Sequence, residues 1–238
     1  MSTLVDPLSL FANQYVEYFL TNRELLWELL VNHIIVVIDS VWFALLIGVP
    51  LGVLATYNDR LGKGILWSAS MMMTVPSIAL FGLLIPLVGI GELPVVIALI
   101  LYAQLPIIRN TYLGLTQVDE ATIEAGRGMG MTKTQRLLRL QLPQAVPVIM
   151  AGVRNAVVIL VGIAAIGAFI GANNLGDPIF NGISEANTAA IVVSTIIVSL
   201  LALAFDYIFQ VLEQVFRLQN GEDIELTLGT RFIQRSIA

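Results

Sequence analysis

Long apolar stretches, separated by short polar segments, dominate the pattern of this chain. Five of them reach the length of about 20 mostly apolar residues that a helix needs to cross a bilayer. The predicted spans are residues 31–56, 64–90, 93–113, 145–171 and 189–211. Pro76 and Pro86 fall inside the second span, so we expect it to be kinked or to be a broken helix that faces protein rather than lipid. The pattern therefore predicts an all-α membrane protein of about five transmembrane helices.

A different pattern precedes the first span. Residues 8–30 mix leucine and aromatic side chains with Asn, Gln, Glu and Arg at helical spacing, which is typical of an amphipathic helix in a membrane interface. We expect residues 1–30 to form an interfacial segment that anchors the chain or docks an external partner. Residues 31–213 would form one transmembrane domain with a cytoplasmic loop at 116–143, and residues 214–238 would form a cytoplasmic tail.

Composition supports the membrane assignment and excludes several kinds of chemistry. Of the 238 residues, 57% are hydrophobic and 12% are charged, about half the charged fraction of soluble domains. The chain has no cysteine and a single histidine, His33, which excludes thiol catalysis and makes a metal centre implausible. A net charge of −5 gives no sign of nucleic-acid binding. We therefore expect no cofactor in this chain.

The distribution of Lys and Arg predicts how the chain is oriented. With the N-terminus outside, nearly all the basic residues of the connecting segments lie inside: Arg60, Lys63, Arg127, Lys133, Arg136, Arg139, Arg217, Arg231 and Arg235. Arg23 would lie outside, where several acidic residues also fall. Because basic residues favour cytoplasmic loops, we expect an outside N-terminus and a cytoplasmic C-terminus.

The loop at 116–143 contains the most informative segment, EAGRGMGMTKTQRLLRLQLP at 124–143. Its small residues would let one helix approach another chain closely, and Gly130 can take a positive φ in a turn between two short helices. Thr132 is placed to cap the second helix, and Pro143 is expected to end it. The segment predicts a capped, rigid helix pair at the membrane surface, with an ordinary basic loop as the alternative.

Written as a pattern, the segment is Glu-Ala-x, three residues, Gly, nine residues, an aliphatic residue, x, Leu-Pro. This resembles the cytoplasmic signature loop of permease subunits of binding-protein-dependent ABC importers, with Gly126 where that family usually has Ala and Leu140 where it often has Ile. The resemblance implies that the loop docks onto a separate ATPase chain and carries its motion into the membrane. The residues assigned to this coupling are Glu124, Ala125, Gly126, Gly128, Met129, Gly130, Met131, Thr132, Arg136, Leu142 and Pro143.

Individual positions in the loop carry separate expectations. Glu124 is expected near the start of the turn, where it could accept backbone N–H groups or meet an arginine of the partner. Met131 is expected to be exposed, because a flexible thioether suits an adaptable contact. Gly128 and Met129 could serve the coupling or could be packing residues only.

Other segments resemble one subgroup of that family, the permeases of osmoprotectant importers for glycine betaine, carnitine and choline. The matching segments are MTVPS at 73–77, LYAQLPIIRNTY at 101–112, VD at 118–119, RGMGMT at 127–132 and PVIMAGVR at 147–154. The segment 171–176 departs from the subgroup, because Asn173 and Asn174 stand where small glycines are expected.

The resemblance implies a fold, a role and a set of partners. The fold would be that of a type I ABC importer permease, a non-catalytic subunit forming the path for a compatible solute in the inner (cell) membrane of a bacterium or archaeon. The partners would be an ATPase subunit that binds ATP and Mg, an extracytoplasmic substrate-binding protein, and a second permease chain, identical or sister. The binding protein would be a separate chain.

Three charged residues, Asp39, Arg154 and Asp206, fall well inside the predicted spans, where charge is costly unless it faces protein or water, while Arg109 lies near the inner end of the third span. By depth, Arg154 and Asp206 both belong to the cytoplasmic side, so they could form a structural salt bridge or line the pathway. Asp39 lies nearer the outer side, close to His33 and Trp42, and could meet an amide or line the pathway. Aromatic candidates for holding a quaternary ammonium group, or for ordinary packing, are Trp42, Phe43, Phe81, Tyr102 and Phe169.

Two other functions stay open at this stage. The same signature loop would serve an ABC importer for an amino acid such as methionine. An ion-coupled secondary transporter would instead use Asp39, Arg154 and Asp206 as a relay, although the sequence shows no inverted repeat.

Overall fold

A computed structural model describes residues 7–222, 227, 229 and 230, and within them the chain is helical, with no strand. Ten α-helices follow one another along the chain: α1 Pro7–Thr21, α2 Arg23–Ala55, α3 Asp59–Thr74, α4 Ser77–Val88, α5 Glu92–Thr116, α6 Glu120–Gly128, α7 Lys133–Arg136, α8 Leu142–Ile166, α9 Asp177–Ser184 and α10 Thr188–Gln219. A π-helical turn, Leu137–Gln141, joins α7 to α8, and a 3-10 turn, Gly167–Ile170, follows α8.

The membrane spans agree with the predicted number. Among the described residues, four helical stretches are long and apolar enough to cross a bilayer: α2, α5, α10 and the continuous stretch Lys133–Ile170. A fifth span results if α3 and α4, which are bent by 98° at the break between them, count as one. The expected broken helix in the second span is therefore confirmed.

The break lies at Val75 and Pro76, while Pro86 sits inside α4. A residue before proline is pushed out of the helical region, and Val75 is extended at φ −72° and ψ 127°. The carbonyl of Val75 accepts a hydrogen bond of 2.6 Å from the hydroxyl of the buried Tyr102. A side chain thus replaces the helical partner that the break removes.

The predicted boundary at residue 30 falls inside a helix. α1 ends at Thr21, and the first membrane-length helix begins at Arg23. The stretch has a buried and an exposed side, because Leu26 and Leu29 are only 3% and 1% exposed while Leu25 and Trp27 are 47% and 67% exposed. Residues 1–6 of the predicted interfacial segment lie outside the described residues.

α10 continues through residue 214, the predicted start of the tail, and ends at Gln219. Beyond it, the backbone N–H of Gly229 donates to the hydroxyl of Tyr207 at 2.9 Å, and the Thr230 hydroxyl donates to the side-chain oxygen of Gln214 at 2.6 Å. The described part of the tail is therefore fastened to α10. Residues 223–226, 228 and 231–238 lie outside the described residues.

The chain divides into two compact units, and the first comprises residues 1–40, 76–99 and 160–203. Its buried core includes Leu29, Val37, Phe81, Val95 and Leu175. Within it, a turn at 171–176 is organised by Asn174, whose side-chain amide donates to the carbonyls of Ala164 at 3.1 Å and Ala172 at 3.3 Å. Its side-chain oxygen accepts from the N–H of Gly176 at 2.7 Å.

The second unit comprises residues 41–75, 100–159 and 204–238. Small residues let its helices approach closely, as is common between membrane helices. A methyl group built on Gly48 would lie 2.7 Å from the Ile107 side chain, and one on Gly152 would lie 2.6 Å from the β-carbon of Asn110. Helix packing here leaves no room for larger side chains at the two glycines.

Gly176→Ala should prevent stable folding. An added methyl group would collide with the backbone carbonyl of Ala165, which cannot rotate away as a side chain would. We expect a large fall in the yield of monodisperse protein and in its melting temperature, measured by size-exclusion chromatography and thermal unfolding in detergent. The matched control is Gly162→Ala, where the new methyl meets open space and should raise helix stability by about 0.5–1 kcal/mol. Equal stability of the two variants would contradict the packing described for Gly176.

Candidate functional site

The polar loop folds as two helices joined by a tight turn. α6 begins after Asp119, whose carboxylate accepts a hydrogen bond of 3.1 Å from the N–H of Ala121. At its end, the N–H of Gly130 bonds to the carbonyl of Arg127 and the N–H of Met131 to the carbonyl of Gly126, both at 3.0 Å. This is a Schellman ending, which needs a left-handed residue, and Gly130 has φ +77°. The predicted positive φ at Gly130 is confirmed.

Thr132 caps the second helix, as its position in the sequence predicts. The N–H of Gln135 donates to the Thr132 hydroxyl at 3.2 Å, and the N–H of Thr132 donates to the side-chain oxygen of Gln135 at 2.8 Å. The two bonds form a reciprocal capping box that satisfies two helix-end donors at once. We call residues 119–143, the two helices with their turn, the elbow.

Close packing holds the two arms of the elbow together. Gly126 is buried in α6, and a methyl group added there would lie 2.6 Å from the end of the Leu140 side chain and 3.3 Å from the Arg136 side chain. The Arg136 guanidinium donates to the carbonyl of Met131 at 2.7 Å. The arms and the turn are thus tied by packing and by hydrogen bonds.

The expectation that Pro143 ends the second helix is wrong. α7 passes through the π-helical turn Leu137–Gln141 directly into α8, and Pro143 lies in the first turn of α8. In the π turn, the N–H of Leu142 bonds to the carbonyl of Leu137, five residues back. The altered bonding accommodates a residue that has no N–H to donate. The elbow is therefore continuous with a membrane-length helix.

Two further expectations for the elbow need correction. Glu124 lies inside α6 rather than near the turn, and it makes no hydrogen bond or ion pair with the part of the chain that the structure describes. Met131 is half-buried, its carbonyl accepts from the Arg136 guanidinium, and its backbone N–H donates to the carbonyl of Gly126. The exposed thioether is that of Met129, which is 67% exposed at the end of α6.

The remaining coupling candidates divide by exposure. Gly126 is buried, while Arg136 and Leu142 are half-buried. Those that are exposed, in addition to Glu124 and Met129, are Ala125, Gly128, Gly130, Thr132 and Pro143. The exposed residues of α6 and its turn form the surface that a partner chain could contact.

The predicted pairing of Arg154 with Asp206 is confirmed. The guanidinium of Arg154 in α8 donates two hydrogen bonds, of 2.6 and 2.9 Å, to the two carboxylate oxygens of Asp206 in α10. Such a two-pronged pair fixes the orientation of both side chains as well as their distance. The pair therefore ties α8 to α10 within the second unit.

The ion pair is part of a larger charged network along α10 that the sequence did not predict. Glu213 lies 3.8 Å from Arg154 and 3.0 Å from Arg217, which in turn contacts Glu222 at 2.9 Å. The spacing of 206, 213 and 217 places these residues on one helix face, two turns and then one turn apart, a signal that could have identified the network. Just beyond the end of α10, the side-chain amide of Asn220 donates to the carbonyl of Pro143 at 3.3 Å. The network thus approaches the start of α8.

Asp39 is not joined to the neighbours expected from the sequence. It is exposed on α2 and makes no hydrogen bond or ion pair among the described residues. His33 is buried, and its Nε2 lies 3.1 Å from the carbonyl of Val161. The two side chains therefore have different environments.

The aromatic candidates fall into two groups. Phe81 and Tyr102 are 0% and 3% exposed and serve the core, in agreement with ordinary packing. Trp42, Phe43 and Phe169 are 61%, 50% and 63% exposed. Phe169 also packs against Phe180 with ring centres 5.9 Å apart. Within the described part of the chain, the contacts between aromatic rings do not gather these side chains into one cage.

No cluster of three metal-binding side chains occurs among the residues that the structure describes.

Comparison with known proteins gives a family match and close relatives. Residues 48–218 match the family described as the binding-protein-dependent transport system inner membrane component. The chain is 43% identical to the osmoprotectant import permease protein OsmW of Salmonella typhimurium, over 84% of this chain and 95% of that protein. It is 41% identical to the carnitine transport permease protein OpuCD of Listeria monocytogenes, over 76% and 81%. It is 38% identical to the choline transport system permease protein OpuBB of Bacillus subtilis, over 84% and 92%.

Solved structures with the same fold belong to ABC transporters. A chain of the MetNI methionine ABC transporter in an inward-facing conformation matches with a TM-score of 0.76 and 22% identity, over 82% of this chain and 98% of that one. A chain of an amino acid ABC transporter crystallised with histidines matches with a TM-score of 0.70 and 17% identity, over 83% and 96%. At these identities the likeness is one of fold alone.

Arg154→Ala should destabilise the protein, because it leaves Asp206 and Glu213 without their shared cation. Since the two paired side chains are 27% and 36% exposed, we expect a loss of about 1–3 kcal/mol, below that of a fully buried pair. Thermal or denaturant unfolding in detergent measures it. The double variant Arg154→Ala with Asp206→Ala should recover part of the loss. A double variant as unstable as the sum of the two single variants would show that the pair contributes no coupling energy.

Proposed function

The chain belongs to the family of binding-protein-dependent transport system inner membrane components, and from this membership we propose that it forms the translocation path of an ATP-driven importer for a compatible solute such as glycine betaine, carnitine or choline. The fold is that of the type I ABC importer permeases, as the resemblance of the loop predicts. The subunit is not itself an enzyme; ATP and Mg are bound by a partner ATPase.

One observation carries the choice of cargo. The relatives that match across most of this chain at 38–43% identity carry names that refer to osmoprotectants, carnitine or choline. The methionine transporter shares only the fold, at 22% identity, so an amino acid is the weaker candidate for the cargo. A secondary transporter relay is disfavoured too, because Arg154 and Asp206 are locked to each other and Asp39 has no partner among the described residues.

The elbow is the part that we assign to coupling with the ATPase. Its contact surface would be the exposed side of α6 and the turn, where Met129 offers a flexible apolar side chain. Gly126, Arg136 and Thr132 would keep the elbow rigid, through the close packing and the capping bonds described above. Because α7 runs into α8 without interruption, a displacement of the elbow would shift the membrane helix that carries Arg154.

The remaining partners and the orientation follow from the same proposal. A separate binding protein would deliver the solute on the outer side, and a second permease chain, identical or sister, would complete the path. The basic residues of the elbow, Arg127, Lys133, Arg136 and Arg139, support a cytoplasmic location for it, with the N-terminus outside. This is the side on which ATP is available.

Uptake of labelled glycine betaine tests the function. The chain is reconstituted in vesicles with the ATPase and the binding protein encoded beside its gene, with and without ATP on the elbow side. We expect uptake only with ATP. Uptake that follows an ion gradient without ATP would overturn the ATP-driven mechanism, and ATP-dependent uptake of methionine without that of glycine betaine would overturn the cargo.

Gly130→Trp should abolish transport while the chain still inserts. Gly130 has open space around it, so an indole would protrude from the proposed docking surface. We expect ATP-dependent uptake to fall by about tenfold or more, a loss within the usual range of coupling energies. Gly130→Asn is the matched control, because asparagine tolerates the left-handed conformation that the turn needs. The coupling role is wrong if the Trp variant transports normally, or if the Asn variant fails equally.

A further inference from the structure

A polar groove of about 570 Å³ lies within the second unit, apart from the elbow. Its wall is formed by α5, α8, α10 and the end of α3, and includes Arg109, Asn110, Asn155, Asp206, Pro106 and Met73. Apolar residues such as Leu113 and Val158 complete it. The groove thus combines a cation, a carboxylate and two amides on otherwise apolar helices.

The depth of the groove restricts what it can face. Arg109 lies seven residues before the end of α5 at Thr116, which is about 10 Å along the helix axis. Asp206 lies thirteen residues before the end of α10 at Gln219, about 20 Å along its axis. Charged side chains this far inside membrane-length helices face protein or water, because exposure to lipid is too costly. The groove therefore opens onto a partner chain or an aqueous path.

The two charged side chains of the groove differ in their pairing. The carboxylate of Asp206 is held by Arg154, yet 36% of its side chain remains exposed. Arg109 is exposed and makes no ion pair or hydrogen bond with any described residue. Arg109 is thus a guanidinium available to bind an anion, while Asp206 offers a partly neutralised negative surface.

The amides add hydrogen-bonding capacity without adding charge. The Asn110 amide donates to the carbonyl of Pro106 at 2.8 Å, and this leaves its side-chain oxygen as an acceptor. Asn155 is exposed on the wall formed by α8. A solute in the groove would therefore meet a cation, amides and an acidic side within one unit of the chain.

We propose that this groove is a transient binding site on the transport path for small zwitterions that carry both a quaternary ammonium group and a carboxylate. The proposal rests on the proposed function and names a site for its cargo. Arg109 pairs with the solute's carboxylate, since its guanidinium matches a carboxylate in two-pronged geometry. The ammonium end, which has no N–H to donate, lies toward Asp206 and the apolar wall.

With this arrangement, the groove distinguishes solutes mainly by whether they carry a carboxylate. Because Arg154 already balances much of the charge of Asp206, the attraction for the ammonium end is weak. Removal of Arg109 should therefore impair solutes that carry a carboxylate much more than choline, which has the ammonium group alone. The groove is also far larger than such a solute, so water shares it and binding stays loose enough for release.

The test uses the complete reconstituted importer with Arg109→Gln and Arg109→Lys. We expect the Gln variant to lose ATP-dependent uptake of glycine betaine or carnitine by about tenfold or more, and the Lys variant to lose clearly less, since it keeps the charge but not the two-pronged geometry. Choline uptake, where the unaltered importer supports it, should change by less than about twofold. Arg23→Gln, an exposed arginine outside the groove, is the control and should transport normally.

Several results would overturn the site. They are normal uptake of carboxylate solutes by the Gln variant, equal losses in the Gln and Lys variants, or a loss of choline uptake in the same proportion. The melting temperature and ATP hydrolysis of each variant are measured alongside, so that a folding defect is recognised. If the unaltered importer carries none of these solutes, the proposed function fails, which is a different outcome from failure of the groove.

Discussion

Every backbone N–H and C=O inside a bilayer must find a partner within the protein, and this constraint governs the structure. Most of the chain meets it with long helices, and two irregular segments meet it with a side chain. The break at Val75 and Pro76 is bridged by the hydroxyl of Tyr102. The turn at 171–176 is bridged by the buried amide of Asn174. Polar side chains in the interior of this protein therefore serve first to complete the backbone.

In the elbow, too, hydrogen bonds satisfy the helix ends, and these bonds together with close packing make the elbow rigid. A Schellman turn ends α6, a capping box starts α7, and Gly126 permits the arms to touch. The π-helical turn then carries the helix past Pro143. Because the elbow is rigid and continuous with α8, a small displacement of the elbow would move α8 with it instead of being absorbed by bending at their junction.

Local chemistry was predictable from the sequence, and of the long-range contacts only the pairing of Arg154 with Asp206 was, because two opposite charges at the same depth of a membrane favour each other. Gly130 and Thr132 behave as predicted because turns and caps depend on a few neighbouring residues. α2 begins at Arg23, eight residues before the predicted span, and the burial of Leu26 and Leu29 in its first turns depends on packing that a hydropathy pattern does not contain. The prediction that Pro143 ends the second helix was wrong because the π turn, which accommodates the proline, has no signature in the sequence. Asn174 was expected to be a departure from the subgroup, and its structural role appears only when the carbonyls around it are known.

The separation in sequence between contacting partners sets an order of assembly. Gly126 and Leu140, which close the elbow, are fourteen residues apart, so the elbow can form as soon as its own segment leaves the ribosome. Arg154 and Asp206 are separated by 52 residues, and Glu213 is more distant still. The carboxylates that neutralise Arg154 thus reach the membrane only with the last long helix. Until that helix is synthesised, α8 carries an uncompensated charge, and its final seating in the bilayer waits for the end of translation.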